Sequence, residues 1–89
     1  MESTDRIASQ NANRDTLAGR LREIRLEIFG NDLIVIAEAI GIPSRTWANY
    51  ESGVAISGDV LLAFLDATRV DPRWLRTGMG PKFRQKLFA

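Results

Sequence analysis

Between Ser44 and Asn49 the chain sets two hydroxyls (Ser44, Thr46), a guanidinium (Arg45) and a carboxamide (Asn49) along one short stretch, with small Ala48 among them. These groups donate and accept hydrogen bonds in defined geometries. None acts as a nucleophile or general base without an activating partner. The sequence offers no such partner. It has no histidine, the commonest general base and metal ligand, and no cysteine, so thiolate zinc sites and disulfides are excluded. Its carboxylates are scattered, and Glu51 is read as structural, accepting hydrogen bonds or pairing with an arginine of the first helix. The available chemistry is hydrogen-bonded recognition, and neither an enzyme nor a cofactor site is expected.

The elements that must position this stretch follow from periodicity and caps. Pro43 suits the first turn of a helix running from Ser44 to Ser52, and Gly53 is its stop. Trp47 and Tyr50, three residues apart, face inward, which leaves Ser44, Arg45, Thr46, Ala48 and Asn49 outside. The preceding helix starts at Asn31 or Asp32 and ends at Gly41, with Ile36, Ala37 and Ile40 at helical spacing. Leu33-Ile34-Val35-Ile36 reads locally as a strand, but the caps on either side favour a helix.

A first helix runs from a cap at Asp15 or Thr16 to Phe29, with Leu17, Leu21, Ile24 and Ile28 inward. Arg20, Arg22, Glu23, Arg25 and Glu27 form its solvated side, with Arg20 or Arg22 available to phosphates. Ser57 caps a fourth helix, Gly58 to Thr68, with Leu61, Phe64, Leu65 and Thr68 inward. Asp71 caps a short last helix through Pro72, Trp74 and Leu75, closed by Gly78. The expected fold is all-α, a compact five-helix domain over residues 14–80. Residues 1–13 are expected to be a flexible tail, and 81–89 a basic and aromatic segment.

The hydrophobic content of 45% is that of a globular chain. No apolar run approaches the ~20 residues of a membrane span, and the N-terminus lacks the pattern of a secretory signal. A soluble, cytoplasmic protein is expected.

The order A-x-x-x-G-I-P-x-x-T-W-x-N-Y-E-x-G, from Ala37 to Gly53, resembles the helix-turn-helix of lambda-repressor-like, XRE-type domains, especially the phage CI-repressor branch. The stretch D-P-R-W-L-R-T-G-M-G-P, from Asp71 to Pro81, looks like the end of many such domains. The resemblance covers roughly residues 17–81. It implies a transcriptional regulator, repressor-like, that reads a palindromic site on double-stranded DNA as a homodimer.

Carried onto this chain, the resemblance makes Arg45 a bidentate partner for guanine and Asn49 for adenine. Ser44 and Thr46 would reach base or phosphate, and Ala48 lies on the same face. Asn31 and Ser57, at helix starts, are candidates for phosphate contacts as well as for caps. Two positions depart from the pattern. Leu33 stands where the family usually has glutamine, and Arg45 is the only cation of the third helix.

Charge points to a second reading. The net charge is +1, but residues 31–71 hold two cations against six acids, a net of −4. Residues 72–89 hold five cations and no acid. A helix-turn-helix in an acidic stretch also fits a protein-interaction module, adaptor or antitoxin-like, that binds a protein partner in place of DNA. Leu33, Ile34 and Val35 widen the apolar surface of the second helix beyond one face. Phe83, Leu87 and Phe88 are the expected cover, from the same chain or across the two-fold axis of a homodimer.

Overall fold

Among the described residues four of the five helices open at a side-chain cap, and each of the five is followed within two residues by a positive φ, so the punctuation of the sequence sets the architecture. The computed structural model describes residues 15–84, and within them five helices follow one another. They are α1 (Leu17–Ile28), α2 (Leu33–Ile40), α3 (Ser44–Glu51), α4 (Gly58–Thr68) and α5 (Pro72–Thr77). The domain is all-α, as expected. No helix among the described residues is long and apolar enough to cross a membrane. The N-terminal tail expected over 1–13 lies outside the described residues.

Where the sequence left two caps open, geometry selects one. Thr16 rather than Asp15 caps α1, its Oγ1 accepting from the Gly19 amide at 3.0 Å. Asp32 rather than Asn31 caps α2, accepting from the Ile34 amide at 2.9 Å. Leu33–Ile36 is helical, against its strand-like local pattern. α3 ends at Glu51, one residue before the expected Ser52. Beyond it Gly53 takes φ +111°, which turns the Val54 amide back onto the Asn49 carbonyl at 3.0 Å and the Gly53 amide onto the Tyr50 carbonyl at 3.2 Å. This double bond is a Schellman closure, and an L side chain at Gly53 would strain it.

The core draws on every helix: Leu21 and Ile24 of α1, Ile36 and Ala37 of α2, Trp47 and Tyr50 of α3, Phe64 of α4, and Trp74 and Leu75 of α5, with Val70 from the last turn. Trp47 is its centre. Its ring stacks on Phe64 at 5.3 Å and meets Tyr50 edge-on at 6.1 Å. Leu61 and Leu65 are half-buried against this core. Leu17 and Ile28 depart from expectation and are exposed, because they sit at the two ends of the α1 stripe where packing runs out.

The solvated side expected for α1 is corrected at two arginines. Arg20 is buried, and its guanidinium donates to the carbonyls of Leu75 at 2.7 Å and Arg76 at 2.9 Å. It satisfies carbonyls that the last turn of α5 leaves open. Arg25 is buried as well. Arg22 remains exposed.

The start of the expected C-terminal segment also belongs to the domain. Val70 and Phe83 form an antiparallel bridge, the Asp71 amide donates to the Lys82 carbonyl at 2.8 Å, and the Arg84 amide donates to the Arg69 carbonyl at 3.0 Å. Phe83 therefore packs against its own core and is not free to cover a second copy. Leu87 and Phe88 lie outside the described residues.

Lys82 bonds Glu23 at 2.7 Å and Glu27 at 2.9 Å, and stands 5.5 Å over the Trp74 ring. One of the five C-terminal cations is thus matched by α1. The hydrogen bonds it donates to Glu23, then to Glu27, raise the Lys82 ammonium above its ordinary 10.5. Its stabilisation is complete below that ordinary value and is lost as pH rises through the raised one. In urea titrations at a series of pH values, the stability gap between the wild type and Lys82→Gln should hold at neutral pH and close at strongly alkaline pH. A gap unchanged at both ends would refute the coupling.

Candidate nucleic-acid interface

The inward side of α3 is fixed by Trp47 and Tyr50, both buried, so helical geometry alone decides what faces outward. Arg45 and Asn49, one turn apart, are exposed, and Ser44, Thr46 and Ala48 are half-buried beside them. No hydrogen bond or ion pair engages the Arg45 guanidinium or the Asn49 carboxamide among the described residues. The structure therefore turns Arg45 and Asn49 outward and unengaged, with Ser44, Thr46 and Ala48 half-buried at their flanks.

The remaining two candidates sit elsewhere. Asn31 is exposed in the turn before α2, where its backbone carbonyl accepts from Arg25 at 3.1 Å. Ser57 is exposed at the start of α4, and its Oγ accepts from the Val60 amide at 3.3 Å, so it acts as a cap. Asp59 in that first turn places negative charge where a phosphate would lie.

Behind the outward side of α3 stands a polar cluster that orients the helix. The Glu51 carboxylate receives two parallel bonds from Arg25, Nε to Oε2 at 2.7 Å and Nη2 to Oε1 at 2.8 Å. The indole N–H of Trp47 donates to the same carboxylate. Arg25 Nη1 also donates to the carbonyls of Gly30 at 3.0 Å and Asn31 at 3.1 Å. The bond to Glu51 holds the Arg25 proton more tightly than in a free guanidinium. One arginine thus ties α1, the α1–α2 turn and α3 together, and it neutralises one of the six acids of the 31–71 stretch.

Glu51 has the structural role the sequence suggested. Which arginine it meets was not legible, but a signal existed. Arg25 lies four residues after Leu21, on the margin of the apolar stripe, and Arg20 lies four before Ile24.

In comparisons with known proteins, no family model, curated protein or solved structure matches this chain.

Proposed function

We propose that this protein is a sequence-specific, double-stranded DNA-binding regulator, repressor-like, that reads base edges in the major groove with α3. The observation that carries the reading is the pair Arg45 and Asn49, exposed and unengaged one turn apart on a braced helix. A guanidinium and a carboxamide match the paired hydrogen-bonding edges of guanine and adenine. Ser44 and Thr46 add shorter donors to base or phosphate, and Asn31 and Ser57 lie at helix starts where backbone amides favour phosphate, opposed at Ser57 by Asp59. A single small module reads few base pairs, so paired copies on adjacent half-sites, a homodimer on a palindrome in the pattern the resemblance implies, would supply the affinity. The reading needs no cofactor and places the protein in the cytoplasm.

Arg45→Ala should cost about 1–3 kcal/mol on the preferred site, found by selecting bound fragments from a genomic library, and relax discrimination at one base pair. Equal loss on preferred and random DNA would make Arg45 a phosphate ligand, and no loss would move recognition off α3.

A protein-interaction module is favoured by one further observation. Ile34 and Val35, in the first turn of α2, are exposed, beside Leu33 where the resembling family has glutamine. A salt titration separates the two readings. Regulator binding to DNA must weaken steeply with salt, with a log–log slope of about −0.9 per phosphate neutralised. A flat or absent response leaves the interaction module.

A further inference from the structure

We propose that copies of this chain associate head to tail, the outer face of α2 in one copy seating in a groove between α1, α4 and α5 of the next. The groove has a volume of about 480 Å3 and an apolar floor of Leu17, Leu61, Leu65, Pro72 and Leu75, with Arg73 and Arg76 also lining it. Both arginines are exposed, neither has an ion pair among the described residues, and no carboxylate lines the groove. What seats there must bring aliphatic side chains flanked by negative charge.

The outer face of α2 has that composition. Ile34 and Val35 are 52% and 45% exposed, far beyond what the core side of the helix shows. Asp32 precedes them, and Glu38 follows Ile34 by one turn on the same face, both exposed. The two surfaces are separate within one copy, because α2 contributes nothing to the groove. They are complementary in both respects, aliphatic pair to aliphatic floor and two acids to two arginines. The −4 stretch and the basic C-terminal stretch of the sequence then meet between copies.

A two-fold pairing of groove on groove fails by the same chemistry, since it would set Arg73 and Arg76 against their own copies. A head-to-tail contact leaves one free face at each end of the assembly and propagates. An eight-residue helix in a groove is smaller than the ~800 Å2 per partner of a standard interface, so each contact is weak and tells mainly where copies lie side by side. None of the five α3 positions lines the groove, so the contact leaves that helix uncovered.

The inference does not rest on the DNA reading, and its test contains no DNA. Sedimentation of the full chain over a range of concentrations should show mass rising past the dimer. Ile34→Asp/Val35→Asp, which disables α2, and Arg73→Glu/Arg76→Glu, which disables the groove, change exposed positions only, and circular dichroism verifies that both remain folded. Each variant alone should sediment as a monomer. Mixed in equal amounts they should form a dimer and nothing larger, because one working face of each kind remains. A wild type that stays monomeric at every concentration overturns the proposal. So does association of either variant as strong as the wild type, or a mixture that yields no dimer.

Discussion

Trp47→Ala is expected to unfold a large fraction of the molecules without any denaturant. The indole is fully buried, stacks on Phe64, meets Tyr50 edge-on, and closes the contact between α3 and α4. Truncating a buried aromatic costs about 3–5 kcal/mol from lost transfer energy and the void left behind. Small domains lie at the low end of the ~5–15 kcal/mol range of native stabilities, so little margin remains. Far-UV circular dichroism against urea reads the result. Trp47→Phe should fall in between, since it keeps a ring against Phe64 but leaves Glu51 without the indole donor. An alanine variant that unfolds at nearly the wild-type urea concentration would show that the core does not depend on this ring.

The second large effect is expected at Glu51. Its carboxylate is 10% exposed and faces an Arg25 side chain that is 7% exposed, so the pair is largely shielded from water. Glu51→Ala would leave the guanidinium buried with only the Gly30 and Asn31 carbonyls, and the Trp47 N–H with no acceptor. Removing one member of such a pair costs about 3–5 kcal/mol, because the charge left behind has no compensation. Replacing both, as Arg25→Met with Glu51→Leu, should restore much of the loss. In a double-mutant cycle the two changes together must be far less harmful than the sum of the single ones. Additive losses would mean that the two groups act independently. Under the DNA reading the same cycle has a second readout, since a helix released from α1 presents Arg45 and Asn49 less rigidly and should bind its site more weakly even where it stays folded.

Much of the fold was legible because the signals are local. Thr16, Asp32, Ser57 and Asp71 act as caps within three residues of the amides they bond, and Gly41, Gly53 and Gly78 close the helices they follow. The outward side of α3 was legible for the same reason, since Trp47 and Tyr50 settle the phase of the helix and Arg45 and Asn49 follow from it. Arg20 and Arg25 were misread as solvated because charge on a helix usually is. Their acceptors lie on α5 and α3, at separations no helical periodicity reports. Phe83 was misread because it stands between cations in the sequence, and only the pairing with Val70 shows that it turns inward. The exposed Ile34 and Val35 were visible as a surplus, while their complement was not, because the groove is assembled from three helices.

The span of the Arg20 clamp constrains how the protein folds during synthesis. Its acceptors are 55 and 56 residues further along the chain, and Lys82 reaches back 55 residues to Glu27. On the ribosome α1 emerges before α5, so Arg20 has neither of these acceptors until α5 has left the exit tunnel. The bonds from α1 to α5 and to Lys82 therefore close a long loop, and the entropy of that closure is offset only once the last helix is free to dock. A nascent chain tethered by an arrest peptide should register pulling force only once α5 and the Val70–Phe83 bridge have cleared the tunnel.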